Sequence, residues 1–327
     1  MNSEWGDKFR LSVFGESHGA VIGVVVGGLP AGFKPDFDEV RRELLRRAPG
    51  RSENSTPRRE SDEFEVLSGV MDGVATGAPL MALCRNTDVR SADYVPHIPR
   101  PGHADLAAAA KYGGYNDYRG GGHFSGRLTA PVVFAGALAK QLLGQRGIDI
   151  SAHIAEIHGE RDPDKFDDEI LGAKGRGDSV GGIIECRVRG APVGWGEPMF
   201  HSVESRLSAL LFSIPAVKGV EFGDGFELAR SFGGEVSDGL TVDANGNVVY
   251  LANHNGGING GITNGEDIIF RVAVKPTPTI SLPQNTVDLR ANTPVVHSFA
   301  GRHDPCIVPR AVAVVEAAAA IALAQYL

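Results

Sequence analysis

The sequence predicts an α+β protein, and three observations carry that expectation. Short β-branched runs such as VIGVVV (21–26) are punctuated by glycine and read as buried strands. Longer windows, PDFDEVRRELLRR (35–47) and LTAPVVFAGALAKQLLGQRG (128–147), read as helices. The two kinds follow one another without the regular βαβ alternation of a doubly wound parallel sheet. No repeat or linker divides the 327 residues, so one domain over 1–327 is expected.

Along the chain, VIGVVV closes on Gly27-Gly28. In 35–47, Asp36 is the candidate N-cap, with Glu39 three residues on. Phe37, Val40, Leu44 and Leu45 are expected to share one face, and Arg41, Arg42, Arg46 and Arg47 the other. That pattern stops at Pro49-Gly50, and the polar segment 51–63 predicts a loop. FEVLSGV (64–70) and LMALC (80–84) predict strands, and ADLAAAAKYG (104–113) a short helix. In 128–147, Pro131 falls in the first turn, where its missing N–H costs nothing. GGIIECRVRGAPVGWG (181–196) alternates as a strand with a glycine-rich exit, and SVESRLSALLFSIPA (202–216) is a helix broken at Pro215. DIIFRVAVKP (267–276) predicts another strand, and VPRAVAVVEAAAAIALAQYL (308–327) an alanine-rich terminal helix.

A net charge of −8 argues against nucleic acid as a partner. Yet the cations are lopsided, 24 Arg against 8 Lys, and seven arginines fall between Arg41 and Arg59 with only Glu43 and Glu53 opposing them. The planar guanidinium fork suits carboxylate and phosphate, so a small, highly anionic ligand is expected. An RNA-binding reading of the patch lacks interleaved exposed aromatics. Cys84, Cys186 and Cys306 are far apart with no CxxC spacing, which points to a reducing compartment and against disulfides or zinc. MNSEWGDKFR carries no apolar signal core, and no apolar run approaches the ~18 residues of a membrane span. A cytoplasmic protein without a membrane partner is expected.

Three stretches concentrate glycine beside polar residues: GESHG (15–19), GGGHFSGR (120–127) and NHNGGINGGITNG (253–265). Bare backbone admits a planar or phosphorylated ligand, and successive N–H groups form an anion nest. Each stretch alone reads first as a turn. Neither GxxxxGK[ST] nor the dinucleotide glycine spacing occurs. His18, His103, His123 and His303 sit in tight polar settings, as acid–base candidates or as hydrogen-bonded structural residues. No HxxxH or HxH pair supports a metal. Arg302-His303-Asp304 sets a carboxylate beside basic groups, or makes a salt-bridged turn before the last helix. Ser17 and Ser125 flank such residues, but GESHG is not the GxSxG elbow of a serine hydrolase.

GESHG, RPGHAD (100–105), the GGGxxSxR loop, GGITNG (260–265), KPTPT (275–279) and GRHDPC (301–306) occur in that order. With GLPAG (28–32), RRE (58–60), NTD (86–88), KGVEFGDGF (218–226) and VPRAV (308–312), they make the chain resemble the chorismate synthase family from about residue 9 to its end. The resemblance implies antiparallel β-sheets sandwiched with helices, a β-α-β sandwich assembled as a homotetramer. It implies an anti-1,4-elimination of phosphate from 5-enolpyruvylshikimate 3-phosphate, giving chorismate for aromatic amino-acid biosynthesis. That reaction requires reduced FMN without net redox change.

Carried onto these positions, the resemblance makes His18 the acid that protonates the departing phosphate and sets His103 over the reduced flavin. Asp304 would assist removal of the ring proton, with Ser17 and Ser125 as relays. Arg100, Arg127 and Arg302 would hold the phosphate and carboxylates, with Arg47 and Arg58 on the entrance side. Flavin contacts would come from His123, Phe124, Ser125, Ala216, Gly261, Lys275, Pro276, Thr277, Pro278, Thr279 and Arg302. The chain is shorter than many relatives near 159–180 and in its C-terminal tail, and it departs from their motifs at three places. RSSAR is replaced by His123-Phe124-Ser125-Gly126-Arg127, an entrance-loop arginine by Glu53, and an asparagine by Pro215. Glu53 weakens the anion binding expected of that loop, and with it any inference of NADPH there. None of the three touches His18, His103 or Asp304, so altered flavin or substrate affinity is expected rather than lost chemistry.

Overall fold

The computed structural model describes residues 3–50, 62–87, 91, 94–299 and 304–327. Arg58, Arg302, His303 and Glu53 lie outside the described residues, as does most of the 51–63 loop. β1 (Glu4–Trp5), β2 (Arg10–Gly15), β3 (Val21–Gly27), β4 (Glu65–Ser68) and β5 (Leu80–Arg85) form one sheet in the order β1-β2-β3-β5-β4. β6 (Asp149–Ile157), β7 (Gly182–Arg189), β8 (Val217–Phe222) and β9 (Ile268–Val274) form a second, in the order β8-β9-β7-β6. Every pairing in both is antiparallel. β3, central in its sheet, buries Ile22, Val24 and Val26 completely, as its β-branched run predicts.

The helices are α1 (Phe37–Arg47), α2 (Asp105–Lys111), α3 (Thr129–Gly144), α4 (Phe166–Gly175), α5 (Val203–Leu211) and α6 (Val308–Leu323). α3 packs on β2 and β3, α6 packs on β6 and β7, and α3 packs on α6. A helical layer therefore lies between the two sheets: the α+β class that the sequence predicts, arranged as the β-α-β sandwich that the resemblance implies. The approach of α3 to α6 depends on small side chains, since a Cβ on Gly136 would fall 2.3 Å from that of Ala317. Glu316, 2% exposed, ties the layers together. It accepts from Arg46 at 2.6 and 2.8 Å, from Lys140 Nζ at 2.8 Å and from the Ala152 amide at 2.9 Å.

Two expectations need correction. Asp36 caps α1 as predicted, accepting from the Asp38 and Glu39 amides, but Leu45 is 49% exposed while Arg47 is 2% exposed. Leu45 is one residue, about 100°, round the helix from Leu44, whereas Arg47 at i+3 shares the buried face of Leu44. Val308–Tyr326 is long and apolar enough to cross a membrane, contrary to the reading that no run approaches that length, but 83% of its apolar window is buried inside the protein. It is a core helix.

Candidate active site

The glycine stretch is both a turn and a wall. Gly120, Gly121 and Gly122 adopt φ of +60°, +81° and +54°, a succession that side-chain-bearing residues avoid. A Cβ on Gly120 would lie 2.5 Å from His18 Cδ2 and Nε2, and one on Gly121 would lie 3.2 Å from His103 Cε1 and Nε2. The bare backbone thus packs directly against both histidines and holds them on one side of a cavity. Ser17 N donates to Gly122 O at 3.0 Å, joining the GESHG turn to this wall. His18 is 8% exposed, with Nδ1 3.0 Å from Ser91 Oγ and its ring edge-on to Tyr94. Ser17 Oγ is buried and makes no hydrogen bond among the described residues.

His103 belongs to a compact polar loop, Arg100 to Asp105, that leads into α2. Asp105 accepts from the Arg100 amide, Nε and Nη2 at 3.1, 2.7 and 2.8 Å, and lies 2.6 Å from His103 Nδ1. Burial opposes its charge, but the hydrogen bonds from Arg100 and His103 prevail and hold its carboxyl well below the usual range. Arg100 Nη1 also reaches Thr279 Oγ1 at 3.3 Å.

A second polar chain crosses the site. Asp62, its side chain fully buried, pairs with both Arg47 and Arg127. Burial works against this carboxylate, yet the two guanidiniums hold it below its ordinary value. Burial in turn pushes Arg47 down to about 10, so it stays charged at neutral pH. Arg47 Nε reaches Thr129 Oγ1 at 3.1 Å, and Arg127 Nε reaches Asn86 Oδ1 at 3.2 Å. Arg310 bridges to Asp304: it pairs with that carboxylate and donates Nε to Arg47 O at 2.9 Å.

These groups surround a cavity of about 580 Å³, a size usual for small-ligand sites. Arg47, Arg100, His103, Ser125, Arg127 and Asp304 line it, as do Phe124 and Ala216. Lys275, Thr277, Pro278 and Thr279 line it beside the Arg100–Asp105 loop. Lys275 Nζ donates to Gly102 O at 2.5 Å, and Thr277 Oγ1 donates to Asp304 O at 3.0 Å. Arginine and lysine outnumber carboxylates, which favours an anionic occupant.

Some expected residues stand elsewhere. His18 and Ser17 are behind Gly120 rather than on the lining itself. Pro276 is outside the lining, and Gly261 is seated against Ser202 and Glu197, where its carbonyl caps Val203 N of α5 at 3.0 Å. His123 lines the cavity, but its ring nitrogens are engaged by Ser3 Oγ and Gly15 O, both at 2.8 Å. Arg58 and Arg302 lie outside the described residues. Sequence reasoning missed Asp62, Asp105 and Arg310. Asp105 and Arg310 stand inside the quoted motifs RPGHAD and VPRAV, but no spacing rule marks a carboxylate that reaches back two and five residues or an arginine that reaches back six.

A family model for chorismate synthase matches residues 9–327. The chain is 48% identical to the chorismate synthase of Chitinophaga pinensis, over 100% of this chain and 96% of that one. It is 46% identical to that of Korarchaeum cryptofilum, over 99% and 96%. A crystal structure of chorismate synthase superposes with a TM-score of 0.75 at 29% identity, covering 98% of this chain and 92% of that one. On that evidence the chain belongs to the chorismate synthase family.

Proposed function

We propose that the chain is a chorismate synthase whose cavity eliminates phosphate from 5-enolpyruvylshikimate 3-phosphate, giving chorismate with reduced FMN bound. The observation that carries this reading is the single cavity uniting His103, Ser125, Asp304 and the arginine set, in a chain of that family. The residues fit a flavin mononucleotide beside an anionic substrate. Phe124 and Ala216 offer apolar lining to a flat ring, Ser17 Oγ behind Gly120 is a buried polar atom still without a partner among the described residues, and Arg100, Arg127 and Lys275 supply cations. Bound in the cavity, reduced FMN would supply electron density and a basic ring nitrogen.

In this reading the C–O bond to phosphate breaks, a ring C–H proton leaves, and substrate and product stand at the same oxidation level. His18 gives the departing phosphate its proton. The arginines stabilise charge as it develops on the leaving group, in a site where they are already oriented. His103 balances negative charge on the flavin side, Asp304 assists the proton's departure, and Ser17 and Ser125 relay protons. Phe124, Ala216 and the 275–279 segment give the flavin its apolar and backbone contacts. Arg58, Arg302 and Gly261 belong to the same reading. We further place the enzyme in the cytoplasm, in keeping with three free cysteines, and as a homotetramer. Exposed Phe226, Phe232, Val242 and Val248 suit such contacts.

Anaerobic incubation with 5-enolpyruvylshikimate 3-phosphate and photoreduced FMN tests the reading through phosphate release and chorismate absorbance. Product without net flavin consumption is expected. Absence of product beside an active control synthase overturns the proposal.

A further inference from the structure

We propose that Asp105 is a positioning residue that sets the tautomer of His103, a residue of the cavity lining, and leaves the lone pair on its Nε2; the catalytic consequence rests on the elimination proposed above. The Asp105 carboxylate is fully engaged. Oδ2 accepts from Arg100 N and Nε at 3.1 and 2.7 Å, and Oδ1 accepts from Arg100 Nη2 at 2.8 Å while lying 2.6 Å from His103 Nδ1. Arg100 Nη2 is also 3.1 Å from His103 Nδ1, so two neighbours compete for that nitrogen.

Chemistry decides the competition. A guanidinium offers only donors and a carboxylate only acceptors. If Arg100 donated to Nδ1, that nitrogen would hold a lone pair facing Asp105 Oδ1 at 2.6 Å, two acceptors in contact. The carboxylate contact is the shorter and Arg100 Nη2 already donates to Oδ1, so Nδ1 keeps its hydrogen and gives it to Asp105. In the neutral ring the lone pair then sits on Nε2, the edge that packs on bare Gly121. Arg100, Asp105 and Lys275, the last through Gly102 O, fix the same short loop, so one carboxylate orients two groups that line the cavity.

Asp105→Asn tests this without changing shape. Oδ2 receives two Arg100 donors and Oδ1 one, so the amide oxygen takes the Oδ2 place and the amide nitrogen lands beside His103 Nδ1. That nitrogen is a donor, and it inverts the tautomer. The readout is the long-range ¹H–¹⁵N spectrum of histidine-labelled protein without ligands, with His103 assigned by its loss in His103→Gln. Recorded at alkaline pH, where the ring is neutral, the wild-type spectrum is expected to place the His103 hydrogen on Nδ1, and that of Asp105→Asn to place it on Nε2. The kcat for phosphate release should fall by about 10²–10⁴-fold, with KM little changed. A wild-type His103 protonated on Nε2 overturns the proposal, whether or not Asp105→Asn folds. A variant with unchanged tautomer overturns it as well, whatever its kcat. Should the tautomer invert while wild type itself releases no phosphate, the proposed elimination fails and the positioning role stands.

Discussion

Gly120→Ala puts the packing of the glycine wall to a quantitative test. At φ +60° an alanine carries a left-handed backbone penalty of roughly 1–2 kcal/mol. Its Cβ would also begin 2.5 Å from two atoms of the His18 ring and 2.9 Å from Ser17 Oγ. Ordinary carbon contacts lie at about 3.5–4.0 Å, so the ring must retreat by roughly 1 Å. A misplacement of that size costs on the order of 10²-fold in rate when the displaced group does chemistry. Gly120→Ala should therefore stay folded, lose roughly 1–2 kcal/mol in urea unfolding, and drop kcat about 100-fold. Gly126→Ala is the control. No atom lies within 4 Å of its Cβ position and its φ is not in the left-handed region, so it should match wild-type kcat and gain up to about 1 kcal/mol. Wild-type turnover in Gly120→Ala would refute the claim that this wall positions His18.

Glu316→Gln removes the carboxylate shared by Arg46, Lys140 and the Ala152 amide, and should cost about 3 kcal/mol in urea unfolding. Burial opposes the Glu316 charge, but Arg46 and Lys140 hold its carboxyl below the ordinary 4.5. Its contribution is therefore complete above that value and is lost as pH falls through the lower folded value, so the gap between wild type and variant should shrink from about pH 7 to about pH 3. Asp62→Asn leaves two buried guanidiniums without their shared anion and should destabilise by about 3–5 kcal/mol, measured the same way. Burial pushes Cys306 up to about 11, and Cys84 and Cys186 are buried too. Iodoacetamide at mildly alkaline pH should therefore label the protein only after denaturant is added, as mass spectrometry would show.

The sequence by itself determined the strands and helices with strong periodicity. VIGVVV, the cap at Asp36, Pro131 in a first turn and the alanine-rich last helix all express local rules about burial, capping and backbone freedom. β2, β6, β8 and α4 went unread because their patterns are weak and neighbouring strands define them. The motif order likewise marked His18, His103, Ser125, Arg127 and Asp304 before any coordinates. Only the tertiary structure decided how they meet. It showed that Gly120 and Gly121 face two histidines, that the arginines of α1 and the 120–127 loop share Asp62, and that Arg310 grips Asp304. It also turned Leu45 outward and Arg47 inward, and carried Gly261 away from the cavity lining to the start of α5. The reason is physical. Local propensity acts over one turn of helix or two residues of strand, whereas the partner of a buried charge is chosen by whichever distant segment the packing brings within hydrogen-bonding reach.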